Sequence, residues 1–175
     1  MERVLLDQVI RTDYGQFDLL WAGYGFDGIF ERFFEGQANG LVGASNPYGI
    51  YVHFGRRSGR SDVRIILLDE PAGMNSDSSW EDIVELSFTL PPGHDLRWAS
   101  WADETTGELA NVPPGDYRLR VSAKGRDAGE DGEFSEEVVD HYLLEMWPAT
   151  PEPDAILRTG SQSAEYWHKT WGSRR

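Results

Sequence analysis

Apolar and polar residues alternate along several short stretches of this chain, and each stretch ends at a cluster of turn-forming residues. The clearest stretch covers residues 84–90, where Val, Leu and Phe alternate with Glu, Ser and Thr before a Pro-Pro-Gly stop. A second covers residues 117–123, follows a Pro-Pro-Gly-Asp turn and has a basic polar face. Side chains that alternate in this way lie on opposite faces of a half-buried β-strand. Both stretches are therefore predicted to be strands.

Further segments of the same kind are bounded by Gly, Pro, Asn, Asp or Ser clusters. Turn signals separate them at intervals of roughly 8 to 15 residues, and no long helical periodicity lies between them. About eight strands at this spacing predict an all-β fold, an antiparallel β-sandwich or jelly-roll-like structure, rather than βαβ units. The further candidate strands are residues 4–10, 16–22, 49–54, 63–68, 96–101 and 141–147.

The chain length of 175 residues is that of one domain with a sizeable core. Residues 1–150 are predicted to form the β-sandwich domain. Residues 151–175 begin Pro-rich and contain three aromatic residues, Tyr166, Trp167 and Trp171, so we expect a linker and a short helical or irregular tail packed on the domain. Residues 28–36 are interpreted as a short helix or a loop over a sheet edge. Residues 71–79 and 125–137 are predicted to be mobile surface loops.

The net charge of −14, from 30 acidic and 16 basic residues, bears on the choice of partner. Such a field repels nucleic-acid phosphates and attracts basic proteins, although acidity also serves solubility alone. We therefore expect a basic protein partner and no nucleic acid. The sequence has no cysteine, no signal peptide pattern and no long apolar run, so we expect a cytoplasmic protein without a membrane span.

No motif in the sequence indicates catalysis, a cofactor or a metal. The four histidines, His53, His94, His141 and His168, lie in separate segments and lack the spacing of paired metal ligands. The acidic stretch after Gly125 lacks two of the oxygen ligands of a calcium-binding EF-hand loop. We accordingly assign no catalytic residue, metal or cofactor.

Two features are candidates for partner binding. The first is the acidic stretch, interpreted as a hairpin whose carboxylates attract a cationic surface. The second is a pair of tryptophans three residues apart, which on a strand point to opposite faces, so that at most one belongs to the main core and the other can act as an anchor. The candidate residues are Asp127, Glu130, Asp131 and Glu133, with Glu136 and Glu137 beside them, and Trp98 and Trp101.

Three short patterns carry a resemblance to known proteins. They are DYGQF at residues 13–17, PPGDYRLRV at 113–121 followed by GRD at 125–127, and YLLEMWP at 142–148. In these patterns the chain resembles a family of small actinobacterial β-domain proteins and, more distantly, the competence protein J family, whose founding member inhibits a DNA-entry nuclease. The likeness covers about a third of the chain and consists of turn and strand signatures. It implies the fold and carries over no residue with an inhibitory role.

Three classes of function follow from these observations. The composition and the resemblance favour a non-catalytic acidic inhibitor or immunity-type protein that binds a basic partner such as a nuclease or toxin. The alternative is a β-sandwich module that binds a small molecule or glycan through exposed aromatic residues. The third class, an enzyme with scattered catalytic residues, requires a cleft with converging polar groups.

Overall fold

The structure is a computed structural model that describes residues 2–21, 29–73, 78–132 and 135–175. Within these ranges it has eleven strands, two α-helices and two short 3₁₀ helices. Strands β1 to β11 are Glu2–Thr12, Gln16–Leu20, Val42–Gly43, Gly49–His53, Gly59–Leu68, Asp82–Leu90, Arg97–Ser100, Thr106–Glu108, Gly115–Lys124, His141–Pro148 and Ala155–Arg158. Helices α1 and α2 are Arg126–Asp131 and Gln162–Thr170, and the 3₁₀ helices are Phe30–Phe34 and Trp101–Asp103.

The strands form two sheets that enclose one main hydrophobic core. The larger sheet has the order β1-β5-β10-β9-β6-β11 and the smaller sheet has the order β3-β4-β2-β7-β8. Every pair is antiparallel except β5 and β10, which run parallel. The prediction of an all-β sandwich is confirmed. All eight predicted strands are present, and β3, β8 and β11 are additional short strands at or near the sheet edges.

The alternating apolar side chains of β6 and β9 point into the main hydrophobic core. In the register of β6 against β9, Val84 lies opposite Val121 and Leu86 opposite Leu119, and all four side chains are buried. The intervening residues point to the other face of the sheet. There the guanidinium groups of Arg118 and Arg120 contact the Glu85 carboxylate at 3.2 and 2.8 Å. The basic side chains on the polar face of β9 are thus paired with a carboxylate.

One end of the sandwich, here called the α1 end, gathers the features relevant to function. Helix α1 starts two residues after β9 ends, beside the start of β10, because His141 of β10 lies opposite Lys124 of β9. In the smaller sheet, Gln16 at the start of β2 lies opposite His53 at the end of β4. The segment after β4 touches α1, since a Cβ placed on Gly55 would lie 2.7 Å from the Arg126 Cα.

The prediction of a mobile loop at residues 125–137 is wrong for the first half of this segment, which forms α1. The cause is Arg126, whose side chain is 1% exposed and enters the sandwich. Its Nη1 donates a hydrogen bond of 2.6 Å to the His53 carbonyl oxygen. The composition is typical of a loop, but this anchor orders the segment.

Residues 151–175 make extensive contacts with the two sheets. Strand β11 pairs with the edge strand β6, and the Asp82 carboxylate accepts hydrogen bonds from the backbone N–H groups of Gly160 and Ser161 just before α2. The backbone of Gly40 lies against α2, where a Cβ would lie 1.9 Å from the Trp167 carbonyl oxygen. Neither described helix has the length and apolarity needed to cross a bilayer.

Candidate functional site

An open pocket of about 400 Å³ lies at the α1 end, on the outer face of the smaller sheet. Most of its lining consists of aromatic rings that come from five separate parts of the chain. Its volume falls in the range of small-molecule binding sites. The lining residues are Tyr14, Phe30, Tyr51, His53, Phe54, Gly55, Arg57, Trp101, Trp167 and Trp171.

The floor of the pocket is formed by β4. Residues of this strand alternate, so Ile50 and Val52 join the main core while Tyr51 and His53 face outward. Phe33 and Phe34 of the first 3₁₀ helix pack around the Tyr51 ring in a second, smaller cluster. The floor is therefore rigidly packed.

Helix α2 supplies one wall. Trp167 and Trp171 are four residues apart, so both lie on one face of the helix, and their ring centroids are 4.4 Å apart. The His53 ring meets the Trp167 ring edge-on at 4.5 Å. The start of α2 is fixed by Ser161, whose hydroxyl accepts a hydrogen bond of 3.0 Å from the Ala164 N–H.

The rim opposite α2 consists of Tyr14 and Trp101, whose ring centroids are 4.9 Å apart. Tyr14 occupies the first central position of the turn between β1 and β2, with φ of 58°, and its side chain is 52% exposed. A positive φ is uncommon for a residue other than glycine and costs about 1 to 3 kcal/mol. The backbone thus holds an exposed aromatic ring in a strained position beside the pocket. The Arg57 guanidinium lies 5.2 Å from the centre of the same ring.

Burial shifts the pKa of each ionisable group of the floor in the direction that favours its uncharged form. Burial, together with the charge of Arg126, lowers the pKa of His53 well below its usual value. Burial raises the pKa of Tyr51 well above its usual value. Asp18, beside Tyr51 in the sheet, is 3% exposed, and burial raises its pKa to about 8. The floor therefore offers rings and neutral polar groups rather than charges.

The residues of the predicted acidic hairpin differ in their surroundings. Asp127 is held by α2, because its carboxylate accepts hydrogen bonds of 3.0 and 2.8 Å from the N–H groups of Gln162 and Ser163. Glu130 and Asp131 are exposed on α1. Glu133 lies outside the described residues, and Glu136 and Glu137 are exposed on the segment that follows. The feature is a short helix and a turn rather than a hairpin, and Asp127 has a structural role.

The segment after α1 is attached to the body by one buried side chain, that of Arg56. Its guanidinium donates hydrogen bonds to the carbonyl oxygens of Gly132, Ser135 and Glu137. Arg56 lies between Gly55 and Arg57, both of which line the pocket. The tripeptide 55–57 therefore joins the exposed acidic residues to the pocket.

The two candidate tryptophans differ in their surroundings, and Trp101 begins the second 3₁₀ helix rather than continuing β7. Trp98 is 4% exposed and its ring stacks on Phe17 in the main core, so it is unavailable as a surface anchor. Trp101 is partly exposed and lines the pocket. It follows the end of β7, and its backbone N–H donates to the Thr12 hydroxyl at 3.2 Å. Of this pair, Trp101 alone is placed for a partner or ligand.

The histidines occupy unrelated surroundings. His141 contacts Asp62 at 3.2 Å, and the His168 Nδ1 accepts a hydrogen bond from the Gly40 N–H at 3.0 Å. The His94 Nδ1 lies 2.9 Å from the Trp21 carbonyl oxygen. Within the described ranges, no three histidine or carboxylate side chains are grouped as metal ligands.

Sequence reasoning missed most of the pocket. Tyr14, Arg57, Trp167 and Trp171 were not candidate site residues. The spacing of Trp167 and Trp171 is the signal that was available, because two tryptophans four apart after a Ser N-cap indicate one aromatic face of a helix. A tyrosine before a glycine in a tight turn gives no comparable signal.

Comparison with known proteins shows the fold. No family model matches the chain, and no curated protein matches it. Two solved structures are similar. One is ComJ, an inhibitor of the DNA-degrading activity of NucA, from Bacillus subtilis, with a TM-score of 0.56 and 16% identity over 85% of this chain and 99% of ComJ. The other is the product of crocagin biosynthetic gene J, with a TM-score of 0.53 and 15% identity over 86% of this chain and 99% of that one. The chain is thus distantly similar to the ComJ family and shares its fold.

Proposed function

We propose that this protein is a non-catalytic inhibitor that binds a basic protein, such as a nuclease or toxin, and blocks its activity. The observation that carries the proposal is the likeness to the nuclease inhibitor ComJ, which extends over 85% of the chain. The net charge of −14 supports a basic partner and disfavours direct binding of nucleic acid. The absence of cysteine favours the cytoplasm as the place of action.

The exposed acidic residues at the α1 end are the proposed docking surface. Glu130, Asp131 and Glu136 are exposed, and Arg56 holds the segment after α1 against the body. Carboxylates fixed in this way accelerate encounter with a cationic surface and can occupy sites that otherwise bind phosphates. Asp127 contributes by fixing α1 against α2 rather than by contact with the partner.

The test is an inhibition assay on nuclease activity recovered with the tagged protein from its native organism. We expect capture at low salt, release at high salt and stoichiometric loss of DNA-degrading activity when the purified protein is added back. A captured nuclease that keeps full activity would contradict inhibition. Failure to capture any basic protein at low salt would contradict the partner class.

Reversing the charges of the docking surface should slow association. Glu130→Lys, Asp131→Lys and Glu136→Lys together are expected to lower the association rate with the captured partner about tenfold or more at low salt and to flatten its salt dependence. Surface plasmon resonance at several salt concentrations measures both effects.

The control for this variant carries an equal change in net charge elsewhere. Glu70→Lys, Asp95→Lys and Glu108→Lys alter exposed residues near the ends of β5, β7 and β8 that lie away from α1. This triple variant should lose less association rate than the first. Equal losses would assign the effect to net charge and would refute the docking surface.

A second candidate function is the binding of a small molecule. The aromatic pocket of about 400 Å³ favours it, because an open cavity lined by large rings presents apolar surface that a ligand can cover. The two functions use neighbouring but different residues at the α1 end and can be tested separately.

A further inference from the structure

The chemistry of the pocket lining restricts the kind of molecule that fits it. Seven of the ten described residues that line the pocket are Tyr, Phe or Trp. They come from the β1–β2 turn, both 3₁₀ helices, the β4 region, and α2 with the residue that follows it. Large rings bury much area with little conformational entropy loss and prefer offset-stacked or edge-on contact with other rings. The lining therefore matches a planar apolar ligand.

A sugar fits this lining poorly. Carbohydrate hydroxyls require polar side chains around the stacking ring, because each buried hydroxyl must keep a hydrogen bond. Among the residues that the structure describes, no carboxylate or carboxamide side chain lines the pocket. The His53 ring is packed against Trp167 and Trp171, and its Nδ1 is buried without a hydrogen-bond partner among the described residues. The described lining therefore has too few polar groups to form hydrogen bonds with the hydroxyls of a glycan.

A cation also fits poorly, although aromatic cages bind quaternary ammonium groups elsewhere. The Arg57 guanidinium already lies over the Tyr14 ring at the rim. A second guanidinium, that of Arg126, lies behind the floor and donates to the His53 carbonyl oxygen. Within the described ranges, neither Asp13 nor Glu104 lines the pocket, and these two carboxyl groups interact with each other. These charges disfavour a positively charged ligand.

We propose that the pocket binds a small planar aromatic molecule, of about the size of an indole or a somewhat larger ring system, that carries no positive charge. This inference rests on the second candidate function and is independent of the inhibitor role. The cavity of about 400 Å³ holds more than one aromatic side chain, which favours a free small molecule over a single residue inserted by a protein partner.

The test uses three probes that share one ring and differ in charge. They are 5-fluoroindole, 5-fluoroindole-3-acetate and 5-fluorotryptamine, followed by ¹⁹F NMR during titration with the full chain. We expect saturable one-to-one binding of the neutral and anionic probes. Binding of the cationic probe should be weaker by about tenfold, because the guanidinium groups of Arg57 and Arg126 lie beside the pocket and repel it at short range. Preferred binding of the cation would overturn the charge assignment. Displacement of 5-fluoroindole by cellobiose would assign the pocket to a glycan.

Variants locate the site. Trp171→Leu, directly after α2, and Trp101→Ala at the rim should each weaken 5-fluoroindole binding by about tenfold, because each removes a ring that lines the pocket. Trp80→Leu is the matched control, since Trp80 lies outside the pocket and packs with Lys124. If Trp171→Leu unfolds the protein, Trp101→Ala still tests whether the probe binds in this pocket. The partly exposed ring of Trp101 lies outside the main core, so its removal should leave the fold intact.

Absence of saturable binding by all three probes would overturn the proposal. The inhibitor proposal is tested separately, by the nuclease inhibition assay and by the charge-reversal variants. Release of bound 5-fluoroindole on addition of the captured protein partner would assign the pocket to a side chain of that partner and would overturn the small-molecule assignment.

Discussion

Arg56→Met should lower the free energy of unfolding by about 3 to 5 kcal/mol, because it leaves several partly buried carbonyl oxygens without the buried guanidinium that donates to them. The guanidinium of Arg56 donates to five of them, those of Ser58 and Arg60 on its own side and of Gly132, Ser135 and Glu137 across the α1 end. Met has similar length and apolar volume, so the change removes the donors with little loss of packing. Urea unfolding measures the loss.

A local increase in hydrogen exchange should accompany the loss of unfolding free energy. We expect faster hydrogen exchange of backbone amides in residues 135–140 of Arg56→Met, because the segment after α1 loses its attachment. Arg60→Met, an exposed neighbour on β5, is the control and should change stability by less than about 0.5 kcal/mol. A loss below about 1 kcal/mol in Arg56→Met would show that the carbonyl groups find other donors.

Asp18→Asn should stabilise the protein at neutral and alkaline pH, and the gain should grow with pH. Burial raises the pKa of Asp18 from 3.8 to about 8, with an opposing hydrogen bond from Gln16 and a further increase from Asp103. Its Oδ1 is buried and has no hydrogen-bond partner among the described residues. The folded protein therefore holds the neutral acid over a pH range in which the unfolded chain ionises.

Proton linkage gives the direction in which Asp18 changes the stability as the pH rises. The stability contributed by neutral Asp18 is complete below pH 3.8 and is lost as the pH rises through about 8, because the folded state then binds more protons than the unfolded state. A shift of about four units at about 1.36 kcal/mol each gives a difference of about 5 kcal/mol at the upper end. Asparagine cannot ionise and avoids this loss.

The measurement is urea unfolding of Asp18→Asn and of the original chain at several pH values between about 4 and 9. The difference between the two should be small near pH 4 and should reach several kcal/mol near pH 8. Asp131→Asn, at an exposed position on α1, is the control and should show a nearly constant difference. A constant difference for Asp18→Asn as well would show that the carboxylate is solvated in the folded state.

The strands could be predicted from sequence because alternation is a local signal. Residues 84–90 and 117–123 carry their own pattern, and each became a strand with those faces. Helix α1 could not be predicted, because acidic residues and Gly129 are typical of a loop, and the cause of order is the contact of Arg126 with β4. That contact joins residues 73 positions apart.

The pocket escaped prediction for the same reason. Spacing predicted that at most one of Trp98 and Trp101 lies in the main core, but it did not identify which, because Trp98 is buried through its contact with Phe17 on the neighbouring strand β2. Tyr14 and Trp101 meet at 4.9 Å only because β2 and β7 are neighbours in the smaller sheet. A site assembled from five distant parts of the chain leaves a local pattern only where two of its residues lie on one helical face, as Trp167 and Trp171 do.

The distribution of the pocket residues along the chain, from Tyr14 to Trp171, has a consequence for the order of folding. Closing loops of this length costs entropy before any contact repays it, so distant pairings form late. The sheets can form before α2 docks, but the wall of Trp167 and Trp171 is in place only after α2 docks on the loop at Gly40. During synthesis, a ligand for the pocket can therefore bind only after α2 has left the ribosome and docked, so the ligand selects chains in which the α2 wall is already in place.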